Sequence, residues 1–383
     1  MTFSVAQYIL SVKYLERMSR TLAQKRIYPI VDEHDNEKIK CHVGNSAIVF
    51  EVMCEGKRRA MKVYMRQHPN LRAIYHENYL PNELLVTSSE SSFGLADVVL
   101  CDWHDGNSLQ SEIERLCNKR ESMALLSCLF EEFALQLLDE KWAHGDLKPE
   151  NIILSNDGLH LIDFDAMYRD GFTVEDCVEI GTRQFQHPLR NKSHFGRNID
   201  DYPIALITTA LAALALDRSL SRKVAESDYL LIQPEKAVRG EDGNLNYIER
   251  LFAKRGDARH YRIAKLLRSS HPSLPSLRAF MGAKVIHTDH PERLTLEYYG
   301  GYWGFVIDLQ FVIPPIYDLA FEFSEGLALV RVGEEWHYID SEGKVTISCG
   351  TGTGIKPFRN GQSRICREDG DYAIFRDGRI EKI

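Results

Sequence analysis

The chain has 383 residues, 44% of them hydrophobic and 27% charged, with 47 Lys+Arg against 55 Asp+Glu. A net charge of −8 argues against nucleic acid as a partner, and there is no apolar run of about 18 residues to span a membrane. The eight cysteines form no CxxC pair and no His-Cys cluster at metal-ligand spacing, which predicts buried reduced thiols and a cytoplasmic setting.

The length exceeds what one core usually sustains, so at least two domains are expected. The start mixes lysine, glutamate and arginine into its apolar positions, unlike a signal peptide. Val5, Tyr8, Ile9, Val12 and Leu15 fall at helical spacing and predict an amphipathic helix over 3–26. From Ile39 to Tyr64, "IKCHV", "AIVFEVM" and "RRAMKVY" read as strands, the last two joined through "CEGKRR". "HPNLRAIYHENYL" returns to helical spacing, and "NELLVTS" and "LADVVLCDW" read as two further strands. The first hundred residues thus predict a sheet of about five strands with one helix inserted.

Leu126, Leu129, Phe133 and Leu137 predict a buried helix within 119–141. "IDDYPIALITTALAALALD" is apolar almost all round, as a core helix is. Residues 217–285 read as mostly helical. Past Lys284 the period returns to 2. Trp303, Trp336 and Tyr372 stand 33 and 36 residues apart, and Phe323 and Phe358 stand 35 apart. Two landmarks recurring in one order predict a repeat array.

"HGDLKPENIIL", residues 144–154, sets polar chemistry at the mouth of an apolar run. An aspartate on such a loop accepts the proton of an incoming hydroxyl. A lysine two positions on neutralises a phosphate, and an asparagine holds Mg²⁺ through its carbonyl oxygen. "LIDFD" then offers a second acid for a metal that bridges phosphates. Phosphoryl transfer asks mainly for positioning and charge neutralisation, and these are the parts it needs.

These motifs resemble the protein-kinase-like fold. "HGDLKPEN" resembles the catalytic loop, which implies Asp146 as base, Lys148 facing phosphate, Asn151 as a metal ligand and His144 in a supporting role. "DFD" resembles the DFG motif, with Asp163 as the other metal ligand. "AMKVY" implies Lys62 on the α- and β-phosphates, paired with Glu77 or Glu83, Glu77 being favoured as mid-helix. "CHVGNSAIVF" is similar to the phosphate-cradling loop, at Gly44, Asn45 and Ser46. "DWHDGNSL" sits where the hinge belongs, around Asp102 and Trp103. "GTRQFQHP" resembles the substrate platform, at Gly181 and Thr182, and Asp200 is favoured over Asp201 as the acid supporting the loop. The cradling loop has one glycine where the family has three. Gly145 replaces an arginine, so the resemblance implies no dependence on phosphorylation of the segment after Asp165. Leu189 replaces a glutamate, and Asp165 replaces the DFG glycine, as in small-molecule kinases.

"WGFVIDLQFVIPPIYDLAFEFSEGLALVRVGEEWHYID" resembles the WG repeat, with two good units and a degraded third over 294–383. Together the resemblances imply an α+β chain: a helical extension over 1–36, a bilobal protein-kinase-like domain over 37–285 and an all-β WG-repeat region over 294–383. The first lobe, 37–101, is a β-sheet plus helix; the second, 104–285, is helical. The implied activity is ATP- and Mg²⁺- (or Mn²⁺-) dependent phosphoryl transfer to a serine or threonine of a protein, with the repeats recruiting protein. A small-molecule kinase and a pseudokinase scaffold are the alternatives.

Overall fold

The computed structural model describes residues 3–32, 38–87, 93–225 and 228–383; the boundary expected between 36 and 37 lies outside them. The chain mixes helix and strand and ends in an all-β region. It divides into two compact units, one of residues 1–107, 153–167 and 171–179, the other of 108–152, 168–170 and 180–383.

In the first unit, Ser4 and Gln7 form a reciprocal capping box that starts helix α1, Val5–Lys13. The helix expected over 3–26 is broken into α1, α2 (Leu15–Met18) and a 3-10 turn at Leu22–Gln24. A tertiary interaction overrides the periodicity there. The Glu83 carboxylate, buried in a strand, accepts the amides of Thr21 and Leu22 at 2.7 Å each and draws the backbone out of helical register. Six strands follow: β1 (Ile27–Pro29), β2 (Cys41–Val43), β3 (Ala47–Cys54), β4 (Lys57–Tyr64), β5 (Tyr79–Thr87) and β6 (Phe93–Asp102). They pair antiparallel in the order β1-β3-β4-β6-β5, with β2 also on β3. Alternation carries Ile48, Phe50, Val52, Met61 and Val63 into one core beneath α1. Tyr64, Leu71, Ile74, Tyr75 and Val99 form a second core.

The inserted helix is shorter than its sequence predicts. Helix α3 covers only Leu71–Tyr75, because His76 takes φ 49° and ends it. A 3-10 turn at His76–Asn78 follows, so Glu77 is not mid-helix, and Tyr79 already pairs with Val99 in the sheet.

In the second unit, α4 (Leu109–Leu116) and α5 (Arg120–Asp139) precede the polar loop, and α6 (Asp201–Leu216) follows it. Every residue of α6 from Asp201 to Ala215 is buried, as its continuous apolar sequence requires. Helices α7 (Ser221–Ala225), α8 (Pro234–Arg239), α9 (Gly243–Arg255), α10 (Ala258–Leu266) and α11 (Leu277–Met281) complete the helical region. Three antiparallel sheets then succeed one another, at 295–317, 319–350 and 362–382. Trp303, Trp336 and Tyr372 each lie near the start of an equivalent strand (Tyr302–Ile307, Glu335–Ile339 and Gly370–Phe375), which is the physical content of their spacing.

The repeats share one compact unit with the helices. Arg262 of α10, only 4% exposed, donates Nε to the Ile316 carbonyl at 2.8 Å. Its Nη2 lies 2.7 Å from Asp318, and its guanidinium sits 4.2 Å over the Tyr302 ring. In the second repeat, fully buried His337 donates Nε2–H to the Ala253 carbonyl at 2.8 Å. Gly256 closes α9 at φ 68°, where a Cβ would come within 2.4 Å of Val345 Cγ2. Removing one member of a buried ion pair costs about 3 kcal/mol or more. Arg262→Met is therefore expected to lower the unfolding free energy of the full chain, measured by urea titration, by that amount. A change below about 0.5 kcal/mol would show that the repeats are not fastened through Arg262.

A second buried network yields a pH dependence. His260 of α10 lies between Asp257, 2.7 Å from Nδ1, and Glu131 of α5, 2.9 Å from Nε2. Burial alone would push the imidazole down, but the two carboxylates outweigh it and push it up to about 9. Unfolded, the ring titrates near 6.5. The stabilisation, at most about 3 kcal/mol, is therefore complete below pH 6.5 and is lost as pH rises through 9. Melting of wild type should fall across that window, and His260→Gln should flatten the fall; parallel profiles would exclude the imidazolium as its cause.

Candidate active site

The loop "HGDLKPEN" alternates between burial and partial exposure. His144 and Leu147 are fully buried, while Asp146 and Lys148 keep side-chain exposures of 13% and 22%. Pro149 opens a 3-10 turn over Pro149–Asn151, pre-set by its ring, and the chain then enters the strand Ile152–Ser155. Polar groups at the mouth of a buried segment are thus held by anchors on either side of each.

Asp200, at the N-terminus of α6, fixes the start of this loop. Its carboxylate accepts the amide of His144 at 2.5 Å and that of Gly145 at 3.0 Å. Burial pushes the Asp200 carboxyl up, against the pull of His144 and the two amides. Its neighbour Asp201 reaches elsewhere, to the Leu274 amide at 2.9 Å, and burial pushes it up to about 6. The His144 ring is supporting in geometry, with Nδ1 3.3 Å from the Asp146 amide.

Asp146 is the centre of a connected group. Its Oδ1 accepts the Thr182 amide at 2.5 Å, and its Oδ2 lies 3.0 Å from Lys148 Nζ. Lys148 also donates to the Thr182 hydroxyl at 2.8 Å. Asn151 donates Nδ2 to the Asp146 carbonyl at 2.9 Å and to Oδ2 at 3.3 Å. Gly181 permits this approach: at φ 87°, a Cβ there would lie 2.5 Å from the Gly145 carbonyl and 3.1 Å from Asp146 Oδ1.

A second group belongs to the first unit. Lys62 on β4 places Nζ 2.5 Å from Asp163 Oδ1 and 2.7 Å from Asp165 Oδ2. Burial disfavours the Lys62 charge, but the two carboxylates outweigh it and hold the ammonium above its usual range. Asp163 takes the left-handed conformation, φ 66°, just before a 3-10 turn at Phe164–Ala166. The expected Lys62–Glu77 pair is not formed. Glu77 lines a hollow with Lys25, Lys57 and Arg59, and Glu83 is spent on Thr21 and Leu22.

The remaining sequence candidates lie at turns and edges. Gly44, Asn45 and Ser46 form the turn between β2 and β3, with the Gly44 amide donating to the Ala47 carbonyl at 2.9 Å. Asp102 ends β6 and pairs with Arg59 at 3.1 Å, while the Arg58 guanidinium lies 5.0 Å over Trp103. Sequence reasoning gave no role to Arg190, whose Nη2 donates to the Gly145 carbonyl at 2.9 Å. Nothing local in "HPLRNK" marks it.

Asn151 in the second unit and Asp163 in the first each offer an oxygen of the type a hard divalent cation takes. The Asn151 amide nitrogen is spent on Asp146, which leaves its carbonyl oxygen for a metal, and the Asp163 carboxylate is 46% exposed. No group of three or more His, Cys, Asp or Glu that could hold a metal ion occurs among the described residues.

The Gly181 contact is directly testable. Gly181→Ala should displace Thr182 and free its amide, so that hydrogen exchange there accelerates at least about tenfold, one hydrogen bond's worth. Unchanged protection would show that the 181–182 segment does not depend on the missing side chain.

Residues 308–336 match the family described as WG containing repeat, a span that runs from the end of one tryptophan-bearing strand to Trp336. No curated protein matches the chain.

Proposed function

We propose that the chain is an ATP- and Mg²⁺-dependent phosphotransferase, a serine/threonine protein kinase with a WG-repeat interaction region. One observation carries the reading: Asp146, Lys148, Asn151 and Thr182 form a single hydrogen-bonded group around one carboxylate. In this reading Asp146 accepts the proton of the acceptor hydroxyl. Lys148 faces the transferred phosphate and ties the base to the platform at Thr182. Lys62 neutralises the α- and β-phosphates. Mg²⁺, when bound, offsets the charge of the phosphate oxygens, and Asn151 and Asp163 would hold it. The contact of Lys148 with Thr182 favours a protein acceptor, since a platform beside the base serves an extended chain better than a compact metabolite. The repeats, fastened through Arg262 and His337, would present a captured protein to Asp146 at raised effective concentration. A cytoplasmic setting belongs to the same proposal.

A second reading, phosphoryl transfer to a small molecule, is favoured by Asp165 in place of the DFG glycine. Transfer of labelled γ-phosphate from ATP with Mg²⁺, offered to the chain itself, to peptides and to small hydroxyl compounds, separates the two. No transfer to any acceptor, with nucleotide still bound, would identify a scaffold instead.

Asp146→Asn should lower transfer by several powers of ten while leaving Mg·ATP affinity within about threefold, because the base meets the hydroxyl rather than the nucleotide. A rate within about tenfold of wild type would sink the assignment of Asp146. Asp163→Ala should instead abolish the Mg²⁺-dependent part of nucleotide binding, read by calorimetry with and without the metal.

A further inference from the structure

Asp165 is buried, and side chains from β4, from α3 and from the loop between them converge on it. Its Oδ1 accepts the hydroxyls of Tyr64 and Tyr75, each at 2.7 Å, and its Oδ2 accepts Lys62 Nζ at 2.7 Å. The backbone carbonyl of Asp165 lies 3.0 Å from His68 Nε2. Tyr64 stands two residues beyond Lys62 on β4 and so projects from the same face of the strand. Tyr75 is the last residue of α3. Burial and the Asp165 charge hold both phenols above their ordinary range, so each remains a donor. A carboxylate offers about four acceptor sites; here two go to neutral hydroxyls that orient it and one to the lysine.

The other acid on Lys62 differs in kind. Asp163 is 46% exposed and stands in a left-handed backbone conformation, whereas the Asp165 side chain is 9% exposed and anchored on two hydroxyls. Of the pair, Asp163 is suited to be released to a cation and Asp165 to stay. A lysine that must face phosphate needs an acid that does not leave with the metal.

We propose that Asp165 is the positioning residue for Lys62, the role sequence reading gave to Glu77, and that Tyr64 and Tyr75 set the angle at which it presents its carboxylate. Its use in turnover rests on the phosphotransferase reading; the pairing itself does not. Helix α3 then contributes a phenol rather than a carboxylate. Displacing α3 removes one hydrogen bond from Asp165 and leaves the ion pair to Lys62 in place.

The test uses the full chain and reads Lys62 directly, by the rate of amine-selective labelling at one fixed pH, followed by mass spectrometry. Asp165→Asn should label Lys62 at least about tenfold faster, since a charged hydrogen bond that holds the amine in place is gone. Glu77→Gln should leave the rate unmoved. A general loosening would expose many lysines alike, so the change must be confined to Lys62. In the same variant, KM for ATP should rise at least about tenfold while kcat falls less, the mark of misplaced nucleotide binding. An unchanged Lys62 rate in Asp165→Asn, or an equal change in Glu77→Gln, would overturn the proposal. If the wild-type chain binds no nucleotide, the phosphotransferase reading fails while the labelling result still decides the pairing. Should Asp165→Asn not fold, Lys62→Met/Asp165→Asn should, because no buried cation then lacks its partner. A double variant that also fails to fold would make Asp165 an anchor for the tyrosines alone and overturn its role toward Lys62.

Discussion

The buried carboxylate of Asp200 is the constraint on which the rest of the polar loop depends. A charge withdrawn from water is costly unless fully bonded, and here two consecutive backbone amides, His144 and Gly145, supply the bonds. Because Asp200 begins α6, whose next fifteen residues are all buried, it cannot move without disturbing the core of its unit. Arg190 closes the other side of the same peptide by binding the Gly145 carbonyl. The loop therefore hangs from a rigid post, and Asp146 inherits that position one residue later.

Lys148 and Lys62, one in each unit, show opposite uses of charge. Lys148 is partly exposed and lies between an acid and a hydroxyl, so it neutralises Asp146 without removing it from solvent. Lys62 is largely buried and held by two acids at once. Elsewhere, charge serves attachment. Residues 286–350 carry three Lys+Arg against eleven Asp+Glu, whereas 351–383 carry seven against five. The acidity of the repeats thus lies in the first two units, where the helical region supplies Arg262 to Asp318. Arg293 pairs with Asp308 in the same stretch.

Legibility in the sequence followed the range of the interaction. The residues of the polar loop were readable because their partners lie within a few positions: Asn151 bonds Asp146, and Lys148 pairs with it. The repeats were readable because one strand pattern recurs. The first helix was misjudged because Glu83, more than sixty residues away, takes the Thr21 and Leu22 amides. The lysine partner was misjudged because α3 ends at a left-handed His76, a conformation its composition did not announce. Arg262 carries no local mark in the sequence, since only the fold brings Ile316, Asp318 and Tyr302 around it. Asp165 was visible as a departure from the family pattern, but Tyr64 and Tyr75 stand about a hundred residues away, so its surroundings were not.

The segment from Asp165 to Thr182 shows how such long-range bonds fix a stretch of chain with little regular structure. It is tied near its start by Lys62, Tyr64 and Tyr75 on Asp165, and then by paired backbone bonds between Tyr168 and Ala143 at 2.9 and 3.0 Å. Thr173 and Asp176 cap each other, and the Asp176 carbonyl accepts Asn70 Nδ2 at 2.7 Å. At its end the Thr182 amide is on Asp146. A phosphate orders a segment when it supplies the anion that waiting cations lack. Here the anions are already in the chain: Asp165 meets Lys62, and Asp146 meets Lys148. Gly145 puts no guanidinium beside Asp146 from that position, and the one that reaches that peptide, from Arg190, is bound to its carbonyl. The order of the segment rests on charges that its own side chains and their partners carry.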